Sequence, residues 1–171
     1  MFNLSNTANC ILEVGLSELT PGEFGYRFQD LVFPSLRALP QLNGIYDNRG
    51  AGQPDGYETA AGYGFEIKAW AKTTIELDAN SWEALRRFAH PRLVAMTTDE
   101  PPYGMWVVKL DGLSGGSIRL SDQVEVDSVL EAHLSSQLSH LIEAVGIHRL
   151  VAGDRASLSR IIKAVSGRLR G

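Results

Sequence analysis

Apolar residues recur at helical spacing in three stretches of the chain, and each stretch carries its own start and stop signals. In the first, Phe24, Phe28, Leu31, Val32 and Leu36 form one stripe. Thr20 stands at the N-cap, Pro21 at the first helical position and Glu23 at the third, a capping box that predicts a helix from Pro21 to about Arg37. It should end before Leu39-Pro40, because the residue ahead of a proline resists the α conformation. Glu23, Arg27 and Asp30 fall off the apolar stripe. The second stretch, Asp127 to Val145, repeats Leu130, Leu134, Leu138, Leu141, Ile142 and Val145, with Asp127 as N-cap and Gly146 as terminator. The third, Asp154 to about Leu169, gathers Leu158, Ile161, Ile162, Val165 and Leu169 on one face. Residues 5–19 have mixed apolar spacing and a weakening Gly15, so a helix there is left open.

Strand-like runs fill the middle of the chain. Leu42 to Tyr46 reads as a strand, followed by a polar, glycine-rich connection from Asp47 to Gln53. Residues 53–59 and 63–71 read as a hairpin turning through Ala60 to Gly62. A helix is expected from Asp78 to His90, capped by Asp78 or Asn80 and stopped by Pro91, with Trp82, Leu85 and Phe88 or Ala89 toward the sheet. Leu93–Thr97 and Met105–Leu110 are apolar, β-prone runs suited to buried strands. Segments 99–104 and 112–117 are rich in Gly, Pro and Ser and read as loops. The result is one α/β domain over residues 1–171, a central mixed sheet flanked by helices. Its core covers about residues 20–110, and a C-terminal helical pair extends it over about 127–170.

Chemistry concentrates between Pro54 and Lys68. In a strand, side chains alternate faces, so Glu66 and Lys68 share one face while Phe65, Ile67 and Ala69 take the other. The acid and the amine are expected toward solvent and the apolar set toward the core. Hairpin pairing places Asp55 across from Glu66. Two carboxylates and an ammonium then converge, and two hard oxygen donors with open positions suit Mg²⁺, which keeps several of its waters.

Pro54-Asp55 and, beyond the ten residues from Gly56 to Phe65, Glu66-Ile67-Lys68 resemble the active-site motif of the PD-(D/E)-x-K nucleases, the superfamily of type II restriction endonucleases. The resemblance covers roughly residues 20–110 and implies a restriction-endonuclease-like core. It also implies that Asp55 and Glu66 hold Mg²⁺, or Mn²⁺ in its place, with the Ile67 carbonyl as a further ligand. Lys68 would position or deprotonate the attacking water. Glu23 is the residue that matches an acid many such enzymes carry on the preceding helix, although the capping box explains it equally well. The implied activity is hydrolysis of double-stranded DNA, in restriction or defence, by a homodimer contacting through its C-terminal helices.

Composition adjusts this picture in part. The 171 residues are 44% hydrophobic and 21% charged, a globular balance. The single Cys10 excludes an intrachain disulfide and a cysteine zinc site. No apolar run reaches membrane-spanning length and no leader pattern opens the chain, so a cytoplasmic protein is expected, with no membrane partner. The net charge of −4 opposes a nucleic-acid partner, but its distribution is uneven. From Arg149 onward there are six basic residues and one acid. Arg160 and Lys163 project away from the last helix's apolar stripe, and with Arg49, Lys72, Arg86 and Arg87 they are the candidate nucleic-acid contacts. No phosphate-cradling lysine loop, dinucleotide fingerprint or nucleophile elbow is present, so no nucleotide cofactor is expected. The rival from another class is a non-catalytic assembly module in which 127–170 mediates association. Within the nuclease class, the rivals are junction, repair and RNA cleavage.

Overall fold

The computed structural model describes residues 1–47, 50–151 and 155–169. Its elements run α1 (Asn6–Glu18), α2 (Pro21–Arg37), a 3-10 turn (Pro40–Leu42), β1 (Gly56–Glu58), β2 (Tyr63–Trp70), β3 (Thr74–Glu76), α3 (Ala79–Leu85), β4 (His90–Thr97), β5 (Met105–Lys109), β6 (Ser117–Arg119), α4 (Ser128–Val151) and α5 (Arg155–Leu169). The open question at residues 5–19 resolves as a helix. Ser5 caps it by accepting from the Ala8 N–H at 3.1 Å, and Ala8, Ile11 and Leu12 are buried.

The main sheet has four strands in the order β1-β2-β4-β5. β1 pairs antiparallel with β2, β2 runs parallel to β4, and β4 pairs antiparallel with β5, so the sheet is mixed. The parallel β2–β4 pair needs a crossover, and the segment carrying β3 and α3 supplies it. β3 and β6 form a separate two-stranded ribbon.

Two hydrophobic clusters sandwich the main sheet. On one face Phe65 and Ile67 of β2, Val94 and Met96 of β4 and Val107 of β5 pack against α1, α2, α4 and α5. On the other, Leu93 and Ala95 of β4 and Trp106 and Val108 of β5 meet Trp82 and Leu85 of α3 and Ile75 and Ile118 of the ribbon. The stripe expected on α2 is wholly buried, and each such side chain contributes about 1.5–3 kcal/mol by leaving water. Leu130, Leu134, Leu138, Leu158 and Ile162 join the same cluster as Phe28 and Leu31. The last two helices are therefore part of the main core rather than an appendage to it. Gly146 has φ 72° and ψ 169°, which breaks α4 where the sequence places its terminator.

Several boundaries differ from expectation. Leu42–Tyr46 is not a strand: after the 3-10 turn only Tyr46 forms a bridge, to Tyr57, because Pro40 directs the chain into a tight turn. The helix expected to reach His90 stops at Leu85, and His90 and Pro91 already belong to β4. Pro91 lacks an N–H, but its carbonyl still accepts from Leu110 at 3.0 Å. Arg27 is buried despite lying off the apolar stripe, and its guanidinium donates to the Leu150 carbonyl at 2.6 Å. Among the described residues no helix is long and apolar enough to cross a membrane.

Candidate functional site

β1 and β2 pair with Gly56 opposite Phe65, so Asp55, one residue before β1, arrives beside Glu66 and Ile67. Its Oδ2 accepts from the Ile67 N–H at 2.8 Å. In a strand the N–H and carbonyl of one residue point to the same neighbour, so the Ile67 carbonyl faces the Asp55 edge as well. The backbone here is held close to α2. A Cβ on Gly56 would lie 2.2 Å from Phe33, so only glycine lets that ring sit against β1.

Glu66 and Lys68 share a face, as strand alternation requires, and are joined by an ion pair of 3.1 Å. That face is not open to solvent, contrary to the sequence expectation. Glu66 is only 5% exposed, because α3 and the ribbon cover this side of the sheet. Ser81 Oγ of α3 lies 3.5 Å from Glu66 Oε1. Lys68 keeps its terminus partly in solvent, at 39% side-chain exposure.

Electrostatics follow from this burial. Desolvation pushes the Asp55 carboxyl above its ordinary value, against the Ile67 N–H, Lys68 and Gln29, which favour the anion. Desolvation also raises Glu66, and the neighbouring Asp55 and Asp78 add to the rise while Lys68 opposes it. Burial works against the Lys68 cation, yet Glu66, Asp55 and Asp78 together hold its pKa above the ordinary lysine value. Lys68 is therefore an ammonium at neutral pH.

Two residues at this site were not legible as site residues in the sequence. Gln29, buried on α2, hydrogen-bonds the Asp55 carboxylate. Asp78 caps α3 by accepting from the Ser81 N–H at 2.7 Å and also acts on both Glu66 and Lys68. Asp78 carried a visible signal as a helix cap; Gln29 carried none.

The structure does not bring Glu23 here. Its carboxylate accepts from the Thr20 N–H and hydroxyl, each at 2.9 Å, and those bonds lower its pKa. The capping box accounts for it fully, and the site lies near Gln29, almost two turns further along α2. Arg160 and Lys163 lie on α5, in the helical layer behind Phe65 and Ile67, with the sheet between them and the Glu66 face. Arg86 and Arg87 follow α3 rather than lying within it. Arg86 donates to the Ser114 carbonyl, and Arg87 reaches the Gly52 carbonyl at 3.4 Å, beside the loop that leads to Asp55. Lys72 is exposed just beyond β2. Arg49 lies outside the described residues.

Among the described residues no group of three or more His, Cys, Asp or Glu side chains forms a ready cation cage. One buried and one half-buried carboxylate with a backbone carbonyl on one edge still match the donor chemistry of Mg²⁺, which takes few protein ligands and retains waters. Comparison with protein-family models, curated proteins and solved structures returns no match.

Proposed function

We propose that this chain is a metal-dependent nuclease that hydrolyses DNA phosphodiester bonds, with Asp55, Glu66 and Lys68 as its catalytic residues. The observation that carries the proposal is the convergence of two desolvated carboxylates and one retained ammonium on the edge of β2. A carboxylate pair with raised pKa values lacks positive charge, and a divalent cation would supply it. Asp55, Glu66 and the Ile67 carbonyl would hold Mg²⁺ or Mn²⁺, which lowers the pKa of bound water and offsets charge on the phosphate.

The chain's own groups divide the remaining work. Held as an ammonium, Lys68 donates hydrogen bonds to the attacking water or to a phosphate oxygen and does not take a proton. The Ile67 N–H and Gln29 fix the Asp55 carboxylate in rotation, and Ser81 borders Glu66. α3 and the ribbon limit water around Glu66, which strengthens each charge there. A cytoplasmic homodimer in restriction or defence, cutting both strands of a duplex, is the fuller form of this reading.

Incubation of supercoiled plasmid with the protein in Mg²⁺, Mn²⁺, Ca²⁺ or chelator tests the proposal. Cleavage is expected in Mg²⁺ and Mn²⁺ only, with Lys68→Ala slowed about 10²–10³-fold, the scale of a lost preorganised donor. A wild type that neither cuts any nucleic acid nor binds Mn²⁺ in calorimetry would make the site a structural ion pair and return the chain to the assembly-module class.

A further inference from the structure

Glu66, Lys68 and Trp70 occupy successive positions of one strand alternation on β2. Trp70 is the only exposed tryptophan: it is 50% accessible, whereas Trp82 and Trp106 are buried at 3% and 6%. A large aromatic so placed in water gains nothing for the fold from its open area. At the end of β2 it also lines a groove of about 490 Å³ that opens on the helical side of the sheet, around the strand end from the Glu66 face, with Leu16, Leu19, Phe24, Lys72 and Thr98 among its walls. The groove is mainly apolar, with the Lys72 ammonium and the Thr98 hydroxyl as its polar side-chain groups. At about 3.3 Å per residue, Trp70 stands roughly 7 Å along the strand from Lys68, close to the spacing of adjacent nucleotides in an extended strand.

The charges around the site do not fit an intact duplex. Backbone-directed duplex binding rests on Lys and Arg side chains that neutralise several phosphates at once. Here Lys68 serves the reaction centre beside Glu66, Arg92 pairs with Asp111 and Asp127, and Lys109 pairs with Glu125. Stacking on an aromatic face needs no such field, contributes about 1–3 kcal/mol per base and accepts any base. Inside a duplex both faces of a base are covered by its neighbours, so away from the ends an indole can stack only on an unpaired one.

We propose that the Trp70–Lys72 groove receives an unpaired nucleobase next to the scissile phosphate, so that the substrate is a single-stranded segment. This rests on the nuclease reading and replaces the intact duplex with a strand that is already open. Trp70 stacks on the base, and Lys72 pairs with the phosphate that follows it.

The test is intrinsic fluorescence with Ca²⁺ present, titrating the full chain with a twelve-nucleotide oligothymidylate, oligouridylate or a blunt duplex of equal length. Since Trp82 and Trp106 are buried, quenching reports on Trp70. Saturable quenching by single strands but not by duplex is expected, the tighter of the two single strands identifying DNA or RNA. By fluorescence anisotropy of a labelled oligonucleotide, Trp70→Ala should weaken single-strand binding at least about tenfold, with Trp70→Phe between the two. Equal quenching by the duplex, or unchanged affinity in Trp70→Ala with its buried-tryptophan emission intact, would overturn the inference. Cleavage is scored separately on the same oligonucleotides in Mg²⁺. Cutting without Trp70-dependent binding sinks only the groove assignment, whereas Trp70-dependent binding without cutting sinks the nuclease reading.

Discussion

The molecule holds two partly buried clusters in which acids outnumber a single base, and they differ in how the acids are used. In one, Arg92, only 4% exposed, donates to Asp127 at 2.9 Å and to Asp111 at 2.6 Å, and its guanidinium lies 5.4 Å from the Tyr63 ring centre. Asp127 in addition accepts from the Leu130 N–H at 3.2 Å as the cap of α4. Its two acids have a planar, multivalent donor between them. In the other, Asp55 and Glu66 share one lysine that extends into solvent, and burial pushes both carboxyls upward. The first cluster ties β4 to α4 and the 111 loop. The second leaves acceptor capacity directed at one edge of the sheet, as suits a guest cation. Counting charges does not separate the two; donor geometry does.

Breaking each cluster should therefore give opposite results. Asp55→Ala is expected to abolish cleavage while the fold persists, checked on plasmid and single-stranded oligonucleotides beside circular dichroism. Arg92→Met should cost about 3–5 kcal/mol in urea unfolding, because the buried Asp127 carboxylate loses its partner. Equal loss of stability in both variants would erase the distinction.

A smaller effect separates the clusters by pH. Asp55 and Glu66 hold their protons more tightly folded than unfolded, so their burial costs nothing at pH values below the ordinary carboxylate range. The cost grows as pH rises through that range toward the raised folded values, and it is complete above them. Asp55→Asn with Glu66→Gln should accordingly be more stable than wild type near neutral pH and lose that advantage in acid. Millimolar Mn²⁺ should raise the melting temperature of wild type at neutral pH, less as pH falls, and leave the double variant unmoved. Thermal unfolding from pH 4 to 8 reads all of this.

The smallest expected effect is at Glu23. Glu23→Ala should lower the melting temperature only slightly, since it removes the exposed half of the capping box, with cleavage unchanged. Slower cleavage by this variant would restore Glu23 to the site.

What the sequence disclosed divides along the same line. α2 was legible to its ends because its signals are local: Thr20, Pro21 and Glu23 at one end and Pro40 beyond the other. The pairing of Asp55 with the Glu66 strand was legible because the hairpin is short. Gln29 was not, since it meets Asp55 only when α2 packs across β1, and no pattern within either segment encodes that approach. The β3–β6 ribbon escaped notice because three-residue strands some forty positions apart leave no periodicity. The burial of Glu66 escaped with it, since the ribbon and α3 supply the cover. Pro91 misled for a related reason. It was read as a helix stop, whereas the chain had left the helix at Leu85 and used the proline within a strand.

The glycines near α2 have a practical consequence for anyone diversifying this protein. At Gly25, in the helix itself, an added methyl group meets nothing within 4 Å, and alanine there should stiffen the unfolded chain at no steric cost. At Gly56 the same methyl group would collide with Phe33. A saturation library should therefore accept many residues at position 25 and return glycine alone at 56, one step from Asp55.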